Sequence, residues 1–311
     1  MSAALEVCGI SKRFGAFTAV NEVSFEVGKG QITGFIGPNG AGKTTTMRII
    51  STLELPDSGD VRVDGHSVLD EPRRVRKRLG FMPDAYGAYS ATTVSDYLDF
   101  FARSYGLRGK RRTQAVREVS SFTGLDPLLG KLTSSLSKGM KQRMCLAKTL
   151  LHDPALLILD EPASGLDPRA RVELRELVKA LAELGKAVLI SSHILTELSE
   201  VCDSICVIEA GILRATGSVD DVVKRLRPHA EIYVSALTSL ENLRRKLLET
   251  PGVGQVREER KGVAFDFVGT PEDVSGLLGD LVRAGLRPVE FAPRQVDLED
   301  VFLSLTEGQL Q

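Results

Sequence analysis

The 311 residues include no tryptophan, and only 5% are aromatic. Four cysteines are too few for a disulfide framework, which fits a reducing compartment. Long apolar runs are missing too. Ala155 to Leu159 is typical of the longest, far short of the ~20 residues that cross a bilayer. The opening MSAALEVCGI has no basic leader and no long apolar core, so no signal peptide is expected. Charge of one sign is also lacking. Forty Lys and Arg offset 41 Asp and Glu, for a net charge of -1, which argues against a globally basic nucleic-acid binder. What remains is an ordinary globular composition, with 42% hydrophobic and 26% charged residues. At roughly 150 residues per domain, the length predicts two domains.

The pattern along the chain supports that division. Val20–Val27 and Gln31–Ile36 read as strands around the turn Gly28-Lys29-Gly30. A glycine-rich loop follows, then a helix over Thr44–Thr52. Pro56-Asp57-Ser58-Gly59 turns into a strand at Val61–Val63. Residues 88–151 are mainly helical in pattern, with Leu98, Phe101 and Tyr105 on one face and Met140, Met144, Ala147 and Leu151 on another. The apolar run Ala155–Leu159 suits a central strand covered on both sides. An amphipathic helix through Leu174, Leu177, Val178 and Leu181 stops at Gly185, before a strand at Ala187–Ile190. Strands alternating with helices predict a parallel sheet and an α/β class.

The character shifts after about residue 220. From 228 to 311 the pattern reads as strand Glu231–Val234, helix Ser239–Glu249, strands Gln255–Glu259 and Val263–Val268, helix Pro271–Ala284, strand Pro288–Phe291 and a last helix Leu298–Leu305. Thr270 is a suitable N-cap with Pro271 at the first helical position. The order βαββαβ suggests a small ferredoxin-like α+β module.

The chemistry sits in two segments. Gly37-Pro38-Asn39-Gly40-Ala41-Gly42-Lys43-Thr44, followed by Thr45, matches the phosphate-loop pattern between a strand and a helix. Glycines let the backbone wrap a phosphate, and N–H groups at a helix start supply positive potential. Lys43 is placed to reach the β- and γ-phosphates of a nucleotide, and the Thr44 hydroxyl to ligate Mg²⁺. The second segment is Leu156-Leu157-Ile158-Leu159-Asp160-Glu161. A buried strand that ends in two carboxylates suits a cation and a reactive water. Asp160 fits the metal-holding role, and Glu161 the role of polarising the attacking water.

With these residues the chain resembles the ATP-binding subunit of an ABC transporter. The resemblance covers roughly residues 4–220 and rests on an ordered set of segments. Leu136-Ser137-Lys138-Gly139-Met140 matches the family's signature segment, and Ser164-Gly165-Leu166-Asp167 the loop after the carboxylates. His193, after Ser191-Ser192, sits where the family has its switch histidine, and Phe14 where it stacks an aromatic ring on adenine. The resemblance implies ATP and Mg²⁺ as cofactors and catalytic roles for Lys43, Glu161 and His193. It also implies a phosphate contact from Ser137 and Gly139 to the opposite chain. An isolated serine there would read simply as a helix cap. One phosphate loop per chain implies a second such subunit, in a homodimer. The permease is expected as a separate chain, contacted around Asp84 to Thr92, with this subunit on the cytoplasmic face of the membrane. No nucleic-acid partner is expected. The C-terminal ending resembles that of ATPases from multidrug or antibiotic export systems. A soluble relative acting in translation or DNA repair is the alternative; such chains usually carry two ATP-binding domains or a long coiled coil, and neither is seen here.

Two departures from the family pattern carry charge. Asp84, in Met82-Pro83-Asp84, stands where the family usually has Gln. As a hard oxygen ligand it is compatible with Mg²⁺ beside Thr44 and Asp160. It would repel the γ-phosphate without the metal. Lys138 and Met140 replace the usual Gly and Gln, and Lys138 reads as solvated. Basic clusters at Arg73, Arg74, Arg76, Lys77 and Arg78, and at Arg108, Lys110, Arg111 and Arg112, contain no aromatic residues and read as solvated helix faces. Cys202 and Cys206 lack a second ligand pair and read as structural.

Overall fold

The computed structural model describes residues 3–294, apart from 85, 86, 88–90, 193–197, 199, 220, 223–229 and 260. The chain divides into two compact units, Met1–Val219 and Asp220–Gln311.

Two sheets build the first unit. Strands β1 (Ala3–Phe14) and β2 (Phe17–Gly28) form a long hairpin closed by Gly15-Ala16, with Phe14 opposite Phe17. With β4 (Ser58–Val63) and β5 (His66–Ser67) they make an antiparallel sheet in the order β2-β1-β4-β5. The second sheet comprises β3 (Ile32–Ile36), β6 (Leu79–Met82), β7 (Leu156–Leu159), β8 (Ala187–Ser192), β9 (Ser204–Glu209) and β10 (Ile212–Ser218). Its order is β10-β9-β3-β8-β7-β6, parallel throughout except at β10–β9. Every residue of β3, β7 and β8 is buried, as unbroken apolar runs require. One core joins the two sheets. Phe25 on β2 stacks on Phe35 on β3 with centroids 5.3 Å apart.

The helices begin with α1 (Lys43–Ile50), which buries Met47, Ile49 and Ile50. Helix α2 (Pro72–Arg78) buries only Val75 and leaves its five basic residues exposed. Helices α3 (Val94–Ser104), α4 (Gly109–Phe122) and α5 (Lys138–Leu150) form the helical region expected over 88–151. The apolar face of α3 is Val94, Tyr97, Leu98 and Ala102, while Tyr105 caps its end and is exposed. Thr93, Ser137 and Asp167 cap α3, α5 and α6 (Pro168–Glu183) by accepting from Asp96, Met140 and Ala170 N–H groups. Each such cap contributes about 1 kcal/mol and fixes where its helix starts.

The second unit contains β11 (Ala230–Ala236), α7 (Leu240–Leu248), β12 (Val253–Glu259), β13 (Gly262–Phe267), α8 (Pro271–Arg283) and β14 (Pro288–Pro293). The sheet order β12-β13-β11-β14, antiparallel at every pair, is a split βαβ arrangement. Ile232, Val234, Leu243, Leu247, Phe265 and Leu281 fill its core. Thr270 and Asp273 form a reciprocal capping box at the start of α8. The helix expected over Leu298–Leu305 lies outside the described residues.

Candidate functional site

The phosphate loop runs from the end of β3 into α1. Two of its glycines are required by space. A side chain at Gly37 would collide with the Ile208 carbonyl, and one at Gly42 with the Ala19 carbonyl. Gly42 also has φ of 102°, outside the range other residues favour. The loop thus lies flat against the hairpin and β9, with α1 starting directly behind it.

Lys43 is the first residue of α1, with only 6% of its surface exposed. Its Nζ donates to the carbonyls of Gly37 at 2.6 Å and Pro38 at 3.2 Å, so the lysine closes the loop on itself. Glu161 Oε1 lies 3.7 Å away. Burial lowers the pKa of Lys43, opposed by the charges of Glu161 and Asp160. The charged form is therefore costly in the loop, and a phosphate would relieve that cost.

Asp160 follows β7, held by its own N–H donating to the Met82 carbonyl of β6 at 2.9 Å. Burial raises its pKa, and the negative charges of Glu161 and Asp84 add to the rise. Hydrogen bonds from Ser191 and Thr44 oppose it. The Ser191 hydroxyl, at the end of β8, donates to Asp160 Oδ1 at 2.7 Å and accepts from the Glu161 N–H at 2.9 Å. Glu161 itself sits at φ 49°, an uncommon and strained value for a residue with a side chain. The hydroxyl of Ser191 pins that conformation. Behind it, the buried Gln142 of α5 donates to the Pro162 carbonyl at 2.5 Å.

Ser191 was not legible as a site residue, because its partners lie thirty or more positions away. Its effect has a definite sign. Removing its hydroxyl leaves the ionised Asp160 less stabilised, so Asp160 will take up its proton at higher pH. Ser191→Ala should therefore move the acid limb of the activity–pH profile upward. A profile that stays in place or moves down would show that Asp160 does not set that limb.

A cleft of about 450 Å³ gathers Pro38, Asn39, Gly40, Gly42, Lys43, Thr44, Thr45, Asp84, Asp160 and Glu161, together with Phe17, Ala19 and Ser164. Phe14, expected beside the base, is 49% exposed at the hairpin end, with the Lys12 ammonium 5.4 Å from its ring centroid. Its cross-strand partner Phe17 lines the cleft, a position that sequence reasoning missed. Ser137 and Gly139, at the start of α5, are not among the lining residues. Gly139 instead packs on Ala170, where an added Cβ would come within 3.0 Å. His193 and most of the segment Asp84 to Thr92 lie outside the described residues.

The donor set suits a magnesium ion that arrives with a nucleotide. Thr44 and Asp160 are hydrogen-bonded to each other, and Asp84 faces the same cleft. No cluster of three or more His, Cys, Asp or Glu groups among the described residues would hold a metal alone. Two or three hard oxygens plus phosphates and waters are what Mg²⁺ prefers.

Comparison with known proteins agrees with this geometry. Residues 20–164 match the family model described as ABC transporter. The Nod factor export ATP-binding protein I of Ralstonia nicotianae is 32% identical, over 99% of this chain and 95% of that protein. The protein of the same name from Rhizobium etli is 34% identical over the same shares. A solved structure described as the ATP-binding subunit of an ABC transporter matches with a TM-score of 0.65 and 32% identity, over 71% of this chain and 92% of that one. A Clostridium perfringens chain, cbiO1, part of the ABC transporter complex cbiONQ, matches with a TM-score of 0.66 and 26% identity. No helix among the described residues is long and apolar enough to cross a membrane. With its phosphate loop, paired carboxylates and full-length likeness, the chain belongs to the ATP-binding subunits of ABC transporters, the ATPases that bind ATP with Mg²⁺ and power transport.

Proposed function

We propose that this chain drives an exporter as a homodimer, bound beneath a separate permease chain at the cytoplasmic face of the membrane. The observation that carries the reading is the cleft that joins the phosphate loop to Asp160 and Glu161 but leaves Ser137 and Gly139 outside its lining. In the dimer, those two residues of one subunit meet the γ-phosphate bound in the other. Export is supported by full-length likeness to proteins named for it. The first unit is the ATP-binding domain and the second an accessory module.

Each side chain has a task in this reading. On ATP binding, Lys43 exchanges its two carbonyl partners for β- and γ-phosphate oxygens. Thr44 and Asp160 would hold Mg²⁺, with Asp84 beside them, and the ion would supply positive charge to the phosphates. Glu161 orients and polarises the attacking water. The water oxygen bonds to the γ-phosphorus in line as the bond to the β–γ bridging oxygen breaks, releasing ADP and phosphate. Phe17 flanks the base end of the cleft, Phe14 at the neighbouring hairpin end stacks on the adenine as the base enters, and His193 contacts the γ-phosphate.

Affinity purification from membranes tests the partner. A polytopic protein should co-purify in fixed ratio, and adding it back in vesicles should raise the ATPase rate. Co-purification with ribosomes or DNA instead would overturn the transport assignment of this chain.

A further inference from the structure

The phosphate cleft carries an excess of negative charge. Three carboxylates line it, Asp84, Asp160 and Glu161, against one lining ammonium, Lys43. Asp84 belongs to that field, because it lines the same cleft as Lys43, Asp160 and Glu161. A Gln at the same place would add no charge. ATP brings still more negative charge than Mg²⁺ cancels.

The start of α5 has the opposite imbalance. It reads Lys138-Gly139-Met140-Lys141, with no acidic residue in the first turn. A cation at a helix N-terminus opposes the helix dipole. Lys138 has no carboxylate partner among the described residues, and its ammonium lies against Gly165, in the loop whose Ser164 lines the cleft. Gly165 has φ of +64°, and a side chain there would strike that ammonium. The exposed lysine thus lies beside that loop with no ion-pair partner among the described residues.

We infer that Asp84 and Lys138 are a matched pair of charges that act across the subunit interface. Lys138 of one subunit offsets the charge that Asp84 adds to the cleft of the other. The inference rests on the proposed homodimer. It requires only that Lys138 come within about a Debye length, ~10 Å at moderate salt, of the facing cleft. Lys138 acts as a positioning residue: it lowers the repulsion that opposes closure on ATP.

A double-mutant cycle on the full-length protein tests it, with Glu161→Gln as common background so that ATP is retained. Light scattering with Mg-ATP gives the dimer dissociation constant. Lys138→Gln should weaken the dimer about tenfold, and Lys138→Arg should leave it near the parent. Adding Asp84→Asn to Lys138→Gln should recover most of the loss, as expected of two opposite charges at a partly desolvated interface. The coupling should fade as salt rises from 50 to 500 mM, which a merely structural role would not do. If the parent dimerises but the two changes add independently, the charge pair is wrong and the homodimer stands. If the parent stays monomeric with ATP, the homodimer is wrong and the inference falls with it.

Discussion

Glu161→Gln should bind ATP as tightly as the parent and hydrolyse it at least about a hundredfold more slowly. A positioned general base typically contributes 10²–10⁴-fold to a rate. The amide keeps the size of the carboxylate but cannot accept a proton from the attacking water. Backbone geometry should survive the change, because the Ser191 hydroxyl holds the N–H of Glu161 and not its side chain. Removing one negative charge 3.7 Å from Lys43 also leaves that lysine more available to phosphate. Binding and hydrolysis should therefore separate. Gel filtration with Mg-ATP should show the variant as an accumulated dimer, while the parent elutes mainly as monomer under turnover. A variant that hydrolyses at the parent rate would remove Glu161 from the catalytic role, and one that stays monomeric with ATP would count against the homodimer.

The features legible in the sequence were those whose cause is local. The phosphate loop announces itself because its spacing and its strand–helix context lie within one short stretch, Ile32 to Ile50. The strand Leu156–Leu159 was legible for the same reason, since an unbroken apolar run ending in Asp160-Glu161 has few other uses. In the second unit, alternation and caps placed every described element to within a few residues, and Thr270 marked the start of α8 to the residue.

Features built from distant partners were not legible. Nothing local sets β1 and β2 apart from the parallel sheet, yet they form a separate antiparallel sheet in which β1 pairs with β4, more than forty residues on. Strand β6 is four residues long, and its Gly80 leaves room for Thr149 of α5, so its pattern is too short to read. Strands β9 and β10 follow Ala187–Ile190, the last strand expected in the first unit, and complete the sheet edge. The hydroxyl bridge of Ser191, the Gln142–Pro162 link and Phe17 on the cleft wall all depend on this long-range assembly. Phe14 and Phe17 show the limit sharply: both are aromatic and cross-strand neighbours, and only the folded hairpin distinguishes which lines the cleft.

Lys43→Ala should abolish nucleotide binding while costing the empty protein little stability. Burial lowers the pKa of Lys43 in the native state, so its charge is tolerated there and not a source of stability. Its two carbonyl partners, on Gly37 and Pro38, sit at the cleft, where water can replace the ammonium. With nucleotide the balance reverses. Without the lysine, Asp160 and Glu161 face the phosphates with no lining cation. Breaking such a pairing costs about 3–5 kcal/mol, a loss of more than a hundredfold in affinity. At ATP concentrations a hundred times the parent's Kd, ligand binding stabilises the native state by about 2.7 kcal/mol. For a unit of this size, that raises Tm by roughly 5–10 °C. Thermal melts should show that rise in the parent and none in Lys43→Ala, with the two empty proteins melting within a few degrees of each other. A variant that keeps the ATP-induced rise, or releases phosphate at the parent rate, would mean that the phosphates are held elsewhere. A large drop in the empty protein's Tm would instead make Lys43 a structural ion, and the loop a strained element that the lysine holds shut.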